Sequence, residues 1–273
     1  MKLRKILVLL IAITAGVANR PQPASATHQA GATYQQMTPA ERTAFVSEQA
    51  RRLALQMSGR EYKFTPAFEA AIQRSVDAYV QRIGNNRGDQ PGKGDARLIF
   101  ERGQTYAPIL SSSFKARNIS QLIGLYLPAV ESEYVNLQAP NAAGAIGMFQ
   151  FLPKTGELYG LTSSDLLDVP KSADAAARYI SNGLKKFDAD PMKEALALLA
   201  YNRGFNHVEH DLATLVTPQT RGCSICALTD QAYKLDATFQ NENVYYVPRF
   251  FAAAIIGENP QSFGLQTQPL SSF

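Results

Sequence analysis

Cysteine is scarce in this sequence, which contains only Cys223 and Cys226, in the segment RGCSIC. Without a second cysteine pair, a four-cysteine zinc site is excluded. A thioredoxin-like CxxC motif would need a strand before it and a helix after it, whereas this pair lies in a polar stretch. If the protein is exported, we expect the pair to form a short-loop disulfide. Redox activity and half a zinc site are the alternatives.

Long apolar runs are also rare, and the one that stands out lies near the N-terminus. The cationic start MKLRK precedes ILVLLIAITAGVA at residues 6–18, and the small-residue motif ASA follows at residues 24–26. This order is typical of a secretory signal peptide cleaved after Ala26. The alternative is a membrane anchor, but the run is shorter than the roughly 20 residues of a spanning helix. No cysteine follows it for lipid attachment, so we expect a periplasmic protein with no stable membrane anchor.

An excess of positive charge is missing from the sequence outside that segment. The whole chain has 27 Lys and Arg residues against 23 Asp and Glu residues. Residues 1–26 contain four basic residues and no acid, so their removal leaves 23 bases against 23 acids. The sequence has no basic stripe interleaved with aromatic residues either. We therefore expect no nucleic-acid partner.

The sequence also lacks convincing strand-like alternation and internal repeats. Apolar residues instead recur at three- and four-residue steps, which predicts an all-α fold with at most a small β hairpin. Thr38, followed by Pro39 and Glu41, has the pattern of a capping box, and Thr65 with Pro66 has a similar start. Further helices are predicted to begin at the caps Ser172 and Asp190 and to include residues 96–118, with a kink near Pro108, and residues 119–135, which contain Pro128.

Composition suggests where the chain divides. Residues 84–95 read as a loop, residues 207–243 read as polar and irregular, and residues 265–273 form a short polar tail. We predict a signal peptide at 1–26, an N-terminal helical extension at 27–118, a catalytic domain at 119–264 and the tail at 265–273.

Two acids, Glu131 and Glu133, follow the apolar segment LIGLYLPAV. On a helix their spacing gives a rotation of about 200°, so the pair cannot act together on one bond. A carboxyl at the end of an apolar segment has its charged form disfavoured, which raises its pKa and suits a general acid. A surface glutamate at a helix end is the alternative interpretation of Glu131.

A glycine-bearing stretch, GAIGMFQF at residues 144–151, follows these acids. Gly144 and Gly147 would let the backbone turn tightly and approach a ligand closely, and the Gln150 amide can donate and accept hydrogen bonds to sugar groups. An ordinary turn before a helix explains the glycines equally well. Tyrosines of the later segments YN (201–202) and YY (245–246) commonly pack in cores.

Histidine is rare, and two of the three histidines lie in HVEH at residues 207–210. His207 and His210, with Glu209 between them, could offer metal ligands, but no third ligand is evident nearby. We expect a solvated helix end, no metal and no cofactor.

Several motifs occur together in a recognisable order: ES (131–132), GAIGMFQF (144–151), the pattern P…TG..YGL (153–161) and ALLAYNRG (197–204). Their order resembles that of the soluble-lytic-transglycosylase domain. The segments YLPAVESEY, DVPKSADAAARYI and YYVPRFFAAAIIGENPQSFG resemble the D-type branch of the membrane-bound lytic murein transglycosylases. The resemblance covers roughly residues 65–264.

The resemblance implies a lysozyme-like helical domain that cleaves the MurNAc–GlcNAc β-1,4 bond of peptidoglycan without water. Glu131 falls on the single catalytic glutamate, which acts first as acid and then as base, while the sugar's own 6-hydroxyl attacks to give a 1,6-anhydro product. Ser132 would orient Glu131 or the sugar acetamido group. The remaining implied substrate-binding residues are Asn141, Gly144, Met148, Phe149, Gln150, Tyr201, Asn202 and Tyr246.

The sequence departs from the family pattern in places. Asn141 stands where the family usually has a serine, and Asn243 stands where it has a threonine. No wall-binding repeat of the LysM type follows the catalytic region. We therefore expect a monomeric, stripped version of the family that acts on glycan strands and could serve general wall turnover or a dedicated envelope-spanning secretion machine.

Two other functions compete with this prediction. A lysozyme-type hydrolase would need a second carboxylate near Glu131, such as Glu157, Asp165 or Asp168. A non-enzymatic wall-binding component of a secretion machine would not need Glu131 at all.

Overall fold

The structure, a computed structural model, describes residues 32–273 and consists of α-helices joined by loops and short 3₁₀ turns. The predicted signal peptide at 1–26 lies outside the described residues. Residues 32–273 contain no strand, and the hairpin expectation reduces to one isolated antiparallel bridge between Ile146 and Phe151. The predicted all-α fold is confirmed. The helices are α1 (Pro39–Ser58), α2 (Pro66–Val80), α3 (Ala96–Lys115), α4 (Gln121–Ser132), α5 (Pro153–Leu158), α6 (Val169–Lys186), α7 (Lys193–Arg203), α8 (Phe205–Leu215), α9 (Ser224–Asp230), α10 (Ala237–Asn241) and α11 (Tyr246–Glu258).

The first two helices begin where their caps predicted. The Thr38 hydroxyl accepts a hydrogen bond from the Glu41 amide, and the Glu41 carboxylate accepts one from the Thr38 amide at 2.7 Å. The Thr65 hydroxyl accepts a hydrogen bond from the Phe68 amide at the start of α2. These local bonds satisfy amides that have no partner inside the helix, so the sequence alone determines both starts.

Two other predicted starts are wrong. Helix α6 begins at Val169, because the Asp168 carboxylate accepts a hydrogen bond from the Lys171 amide, and Ser172 is a buried residue inside the first turn. Helix α7 begins at Lys193 rather than after Asp190. The Asp190 carboxylate accepts hydrogen bonds from the Met192 amide and the Ser224 hydroxyl, so it holds the turn that precedes the helix.

The prediction that residues 207–243 are irregular is also wrong. They contain most of α8 and all of α9 and α10, together with connecting 3₁₀ turns. A buried guanidinium, that of Arg203 at the end of α7, pairs with Asp211 of α8 and with Asp236, the cap of α10. It also donates a hydrogen bond to Asn243 at 3.0 Å. These ion pairs connect α7 to α8 and to the start of α10, whereas the residues of α9 are largely buried in the core.

The core is centred on α11, which is buried along nearly its whole length and packs against α1, α2, α4 and α7. Helix α3 packs against α4 and α6, and α6 packs against α7. The core runs continuously from Tyr34 to Leu270, so it includes residues of the predicted extension, catalytic region and tail. In the tail, Leu265 and Leu270 are buried. The division into domains stays a prediction.

Within residues 32–273, no helix combines the length and the apolar character needed to cross a membrane.

Candidate active site

Glu131 lies in the last turn of α4, one residue before the helix ends. The apolar residues 122–129 of this helix are buried, which fixes α4 in the core. The helix ends because Glu133 and Tyr134 both adopt positive φ angles, 53° and 61°. The Tyr134 hydroxyl donates a hydrogen bond back to the Leu125 carbonyl at 2.7 Å, inside the core. This turn holds the Glu131 carboxyl at the edge of the core.

The two acids of the ESE segment have different partners. Glu133 is buried and receives two hydrogen bonds from the Arg82 guanidinium, at 2.6 and 2.9 Å. Arg102 donates to the Glu133 carbonyl at 2.9 Å, which supports the left-handed turn. Among residues 32–273, Glu131 has no such ion pair and instead accepts a hydrogen bond from the Tyr246 hydroxyl. Glu133 is therefore neutralised by a direct ion pair, whereas the described residues give Glu131 no such pair.

The surroundings of Glu131 raise its pKa to about 7. Burial is the largest cause, because it disfavours the charged carboxylate. The hydrogen bond from Tyr246 and the positive charge of Arg249 oppose this shift, and the negative charge of Glu242 adds to it. At neutral pH the group is present in both its acid and its base form.

The glycine-bearing loop predicted at residues 144–151 folds beside Glu131. Gly144 and Gly147 both have positive φ angles, 86° and 78°. A Cβ atom at Gly147 would lie 2.2 Å from the Leu166 carbonyl oxygen, so the loop requires glycine there for close approach as well as for its backbone angle. Nothing lies within 4 Å of a Cβ at Gly144, which faces open space.

Two side-chain amides organise this loop. The side-chain oxygen of Asn141, Oδ1, accepts hydrogen bonds from the backbone amides of Ala143 and Ala145, at 2.8 and 3.0 Å. Its NH₂ group donates to the Gln150 side chain at 3.1 Å, and Gln150 donates to the Gly147 carbonyl at 2.6 Å. Asparagine at position 141 therefore stabilises the turn by accepting these two backbone hydrogen bonds.

Two of the residues that we expected to act on substrate, Met148 and Phe149, lie behind the cleft, and a third, Ser132, borders the α2 side of the cleft but directs its hydroxyl into the core. The Ser132 hydroxyl is buried and donates to the Met148 carbonyl at 2.7 Å, rather than to Glu131. The side chains of Met148 and Phe149 are fully buried in the core. Their contribution is structural. The Met148 carbonyl accepts the hydrogen bond from Ser132 at the end of α4, and the Phe149 carbonyl accepts one from the Tyr201 hydroxyl at 2.9 Å.

The opposite wall is formed by the end of α7 and the start of α11. Tyr201 is partly buried and is bonded to the loop as described above. The Asn202 side chain donates to Glu242 at 3.2 Å and accepts a hydrogen bond from Asn243 at 2.6 Å. Tyr246, at the first position of α11, reaches Glu131.

Two cavities meet at Glu131. The α2 cavity has a volume of about 660 Å³ and is lined by α2, the end of α4 and the segment before α11. The loop cavity has a volume of about 520 Å³ and is lined by the glycine-bearing loop and the opposite wall. Of the predicted site residues, the loop cavity brings together Glu131, Asn141, Gln150, Tyr201, Asn202 and Tyr246. An extended ligand that fills both cavities would pass Glu131 near its middle.

Sequence reasoning missed two charged residues, Glu242 and Arg249, that border both cavities together with Glu131. Both are exposed. A signal for Arg249 exists, since it is the single charged residue between Tyr246 and Ile256 and lies three residues after Tyr246. Nothing in the polar segment around Glu242 distinguishes it from its neighbours.

The acids proposed for a hydrolase lie elsewhere. Asp165 is paired with Lys171, Asp168 caps α6, and Glu157 is exposed on α5. None of the three lines a cavity that contains Glu131.

The remaining candidate sites are also outside the cleft. Cys223 and Cys226 form a disulfide at the start of α9. His207 and His210 are exposed on α8, and Glu209 pairs with Lys186 at 2.8 Å. Residues 32–273 contain no group of three His, Cys, Asp or Glu side chains that could hold a metal ion.

Part of the chain that forms this site is similar to a known protein family. Residues 111–219, which include Glu131, the glycine-bearing loop and Tyr201, match the family model described as the transglycosylase SLT domain. This segment is similar to the transglycosylase SLT domain. The predicted resemblance to the lytic transglycosylases is confirmed.

Relatives of known name point to the same family. Two proteins called membrane-bound lytic murein transglycosylase D, from Escherichia coli strains K12 and O6:H1, are each 30% identical to this chain over 169 residues. The aligned region is 60% of this chain and 34% of each relative. The chain therefore spans about a third of the length of these relatives, and Tyr246, Arg249 and α2 lie outside the SLT segment itself.

Proposed function

We propose that this protein is a peptidoglycan lytic transglycosylase that cleaves the MurNAc–GlcNAc β-1,4 bond and leaves 1,6-anhydroMurNAc ends. The observation that carries the proposal is Glu131, a partly buried carboxyl with a pKa of about 7 between two cavities. A single group that is both acid and base near neutral pH suits a reaction that needs each form in turn.

The reaction would proceed in two proton transfers. Protonated Glu131 gives its proton to the glycosidic oxygen as the bond from MurNAc C1 to that oxygen breaks, which releases the GlcNAc 4-hydroxyl. The MurNAc 6-hydroxyl oxygen then bonds to C1, and its proton returns to the Glu131 carboxylate. No water is consumed, and Glu131 ends in its starting form. The Tyr246 hydroxyl would stabilise the carboxylate between the two steps by its hydrogen bond.

The loop cavity supplies groups that suit a sugar chain. Asn141, Gln150 and Asn202 carry neutral amides that can donate to and accept from hydroxyl and acetamido groups. Tyr201 offers an aromatic ring in the same wall. Their placement supports peptidoglycan glycan strands as the ligand of this cavity.

The proposal is tested by digesting purified sacculi and weighing the released muropeptides. We expect products lighter by one water than reducing muropeptides, and none with the Glu131→Gln variant. This variant keeps the size of the side chain and its ability to accept from Tyr246, so its fold can be checked by circular dichroism. Reducing-end products would exclude the transglycosylase mechanism, and unchanged cleavage by Glu131→Gln would exclude Glu131 as the acid.

One observation favours a hydrolytic second candidate. Glu242 is a carboxylate that borders both cavities with Glu131, so a muramidase could use it to activate water. Under this alternative Glu242→Gln abolishes cleavage and the wild-type products carry reducing ends. Under the transglycosylase proposal, Glu242→Gln still gives anhydro products.

The cellular setting belongs to the same proposal. The signal-like N-terminus supports export to the periplasm, where the glycan strands are, and a role as a monomeric enzyme in wall turnover or beside an envelope-spanning secretion machine. A purely wall-binding role would leave function intact in the Glu131→Gln variant.

A further inference from the structure

The α2 cavity differs in chemistry from the loop cavity. One face of α2 lines it, through residues spaced three or four apart along the helix. Three of the lining side chains, Ala71, Ser75 and Ala78, are small and leave open space near Glu131; we call this surface the shelf. Two further lining side chains in or just after α2 are arginines. The lining residues of α2 are Ala71, Arg74, Ser75, Ala78 and Tyr79, and Arg82 follows two residues after the helix ends.

The two arginines on this shelf have different surroundings. The Arg82 guanidinium is occupied by the Glu133 carboxylate. Arg74 is exposed and, among residues 32–273, forms no hydrogen bond or ion pair through its side chain. Arg249 borders the same cavity, on the side of Glu131. A free guanidinium above a shelf of small residues is suited to bind a carboxylate.

Arg249 borders both cavities, so among the described residues Arg74 is the free arginine that lines the α2 cavity alone. The other arginine of the loop cavity, Arg203, is saturated by Asp211 and Asp236. The amides of that cavity match the neutral hydroxyl and acetamido groups of a glycan. A free guanidinium has no charged partner on those groups, whereas the peptide branch attached to MurNAc carries carboxylates.

We propose that the α2 cavity binds the peptide branch of the substrate, with Arg74 pairing with one of its carboxylates. This inference rests on the proposed function. Arg74 is then a specificity-determining residue, and α2, which precedes the SLT segment in the chain, gives the protein a preference for glycan whose peptides are present and negatively charged.

The test compares native sacculi with sacculi whose peptide carboxylates have been converted to amides by carbodiimide chemistry. Glycan and peptide lengths are the same in both, so only the charge differs. The wild-type protein should cleave native sacculi with a kcat/KM roughly tenfold higher, the order expected for one charge-assisted hydrogen bond. Arg74→Gln should lose this preference by slowing on native sacculi while keeping the wild-type rate on amidated sacculi.

Arg60→Gln is the matched control, because Arg60 is an exposed arginine that lines neither cavity. It should behave as the wild type on both substrates. If Arg74→Gln slows both substrates equally, or neither, the proposed role of Arg74 is wrong.

A binding measurement separates this proposal from the proposed function. Calorimetry would compare an N-acetylmuramoyl tripeptide that has free carboxylates with the same compound amidated, using wild type and Arg74→Gln. Tighter binding of the free acid that disappears in Arg74→Gln supports the peptide site even if no sacculus is cleaved. Equal binding of the two compounds overturns it, even if cleavage is observed.

Discussion

Glu131 is subject to influences of opposite sign. Burial and the charge of Glu242 favour the neutral acid, while the Tyr246 hydrogen bond and the charge of Arg249 favour the carboxylate. Burial is the largest of them, and the pKa settles at about 7. An acid that is too weak would not release its proton to the glycosidic oxygen, and one that is too strong would not be protonated at the start. The opposing influences therefore keep both forms available.

Tyr246→Phe tests this balance at a single atom. Removing the hydroxyl removes a hydrogen bond that lowers the Glu131 pKa, so that pKa should rise. The first step needs the protonated form of Glu131. In a plot of kcat/KM against pH, the alkaline limb should therefore shift to higher pH by about one pH unit. The measurement is anhydro-product release from sacculi between about pH 5 and pH 9.

Tyr245→Phe is the control for this variant, because Tyr245 is half-exposed and its neighbour Tyr246 is the one bonded to Glu131. It should leave the limb in place. A downward movement in Tyr246→Phe would mean that Tyr246 does not stabilise the carboxylate.

At the scale of elements, the glycine-bearing loop depends on the close approach of Gly147 to the Leu166 carbonyl. Gly147→Ala should lower the free energy of unfolding by about 2 kcal/mol or more, because the new Cβ meets the Leu166 carbonyl and the positive φ is strained. Gly144→Ala has the strained φ but open space, so it should cost only about 1 kcal/mol. Urea unfolding of both variants measures the difference, and equal losses would show that the contact with Leu166 is not limiting.

The elements that could be predicted are those with local causes. The starts of α1 and α2 depend on caps three residues away, which the sequence displays. At α6, Asp168 and Ser172 both offer cap chemistry, and only packing, which buries Ser172, decides between them. Helices α8 and α10 escape prediction because the ion pairs that connect them to Arg203 span 8 and 33 residues.

The same distinction applies to the site. The place of Glu131 at the end of a buried helix could be predicted because an apolar segment leads directly to it, and its role as the acid stays a proposal. Glu242 could not be predicted, because the chain must fold before a residue more than a hundred positions away reaches Glu131, and the isolated charge of Arg249 in its apolar segment does not show that it lies near Glu131. The burial of Met148 and Phe149 was likewise hidden, since an apolar motif looks the same whether it lines a cleft or supports it from behind.

At the scale of the whole molecule, Arg203 connects three helices. Its side chain is 4% exposed and that of Asp211 is 1% exposed. Arg203→Met would leave Asp211 buried without its cation, so we expect a loss of about 3–5 kcal/mol in the free energy of unfolding. Thermal and urea unfolding provide the measurement.

Arg117→Met is the matched control, because Arg117 pairs with Asp174 on the surface, where the two side chains are 40% and 41% exposed. Its loss should stay below about 1 kcal/mol. Similar losses in both variants would contradict a special role for the buried pair.

The placement of the acid and its partners has a consequence for evolution. The segment that carries the family signature, residues 111–219, contains Glu131 but neither Tyr246 nor Arg249, and α2 lies before it. A recombination event that moved only this segment into another protein would transfer an acid without two of the groups that lower its proton affinity. The signature therefore marks the family without being a portable unit, and new architectures would have to inherit the flanking helices with it.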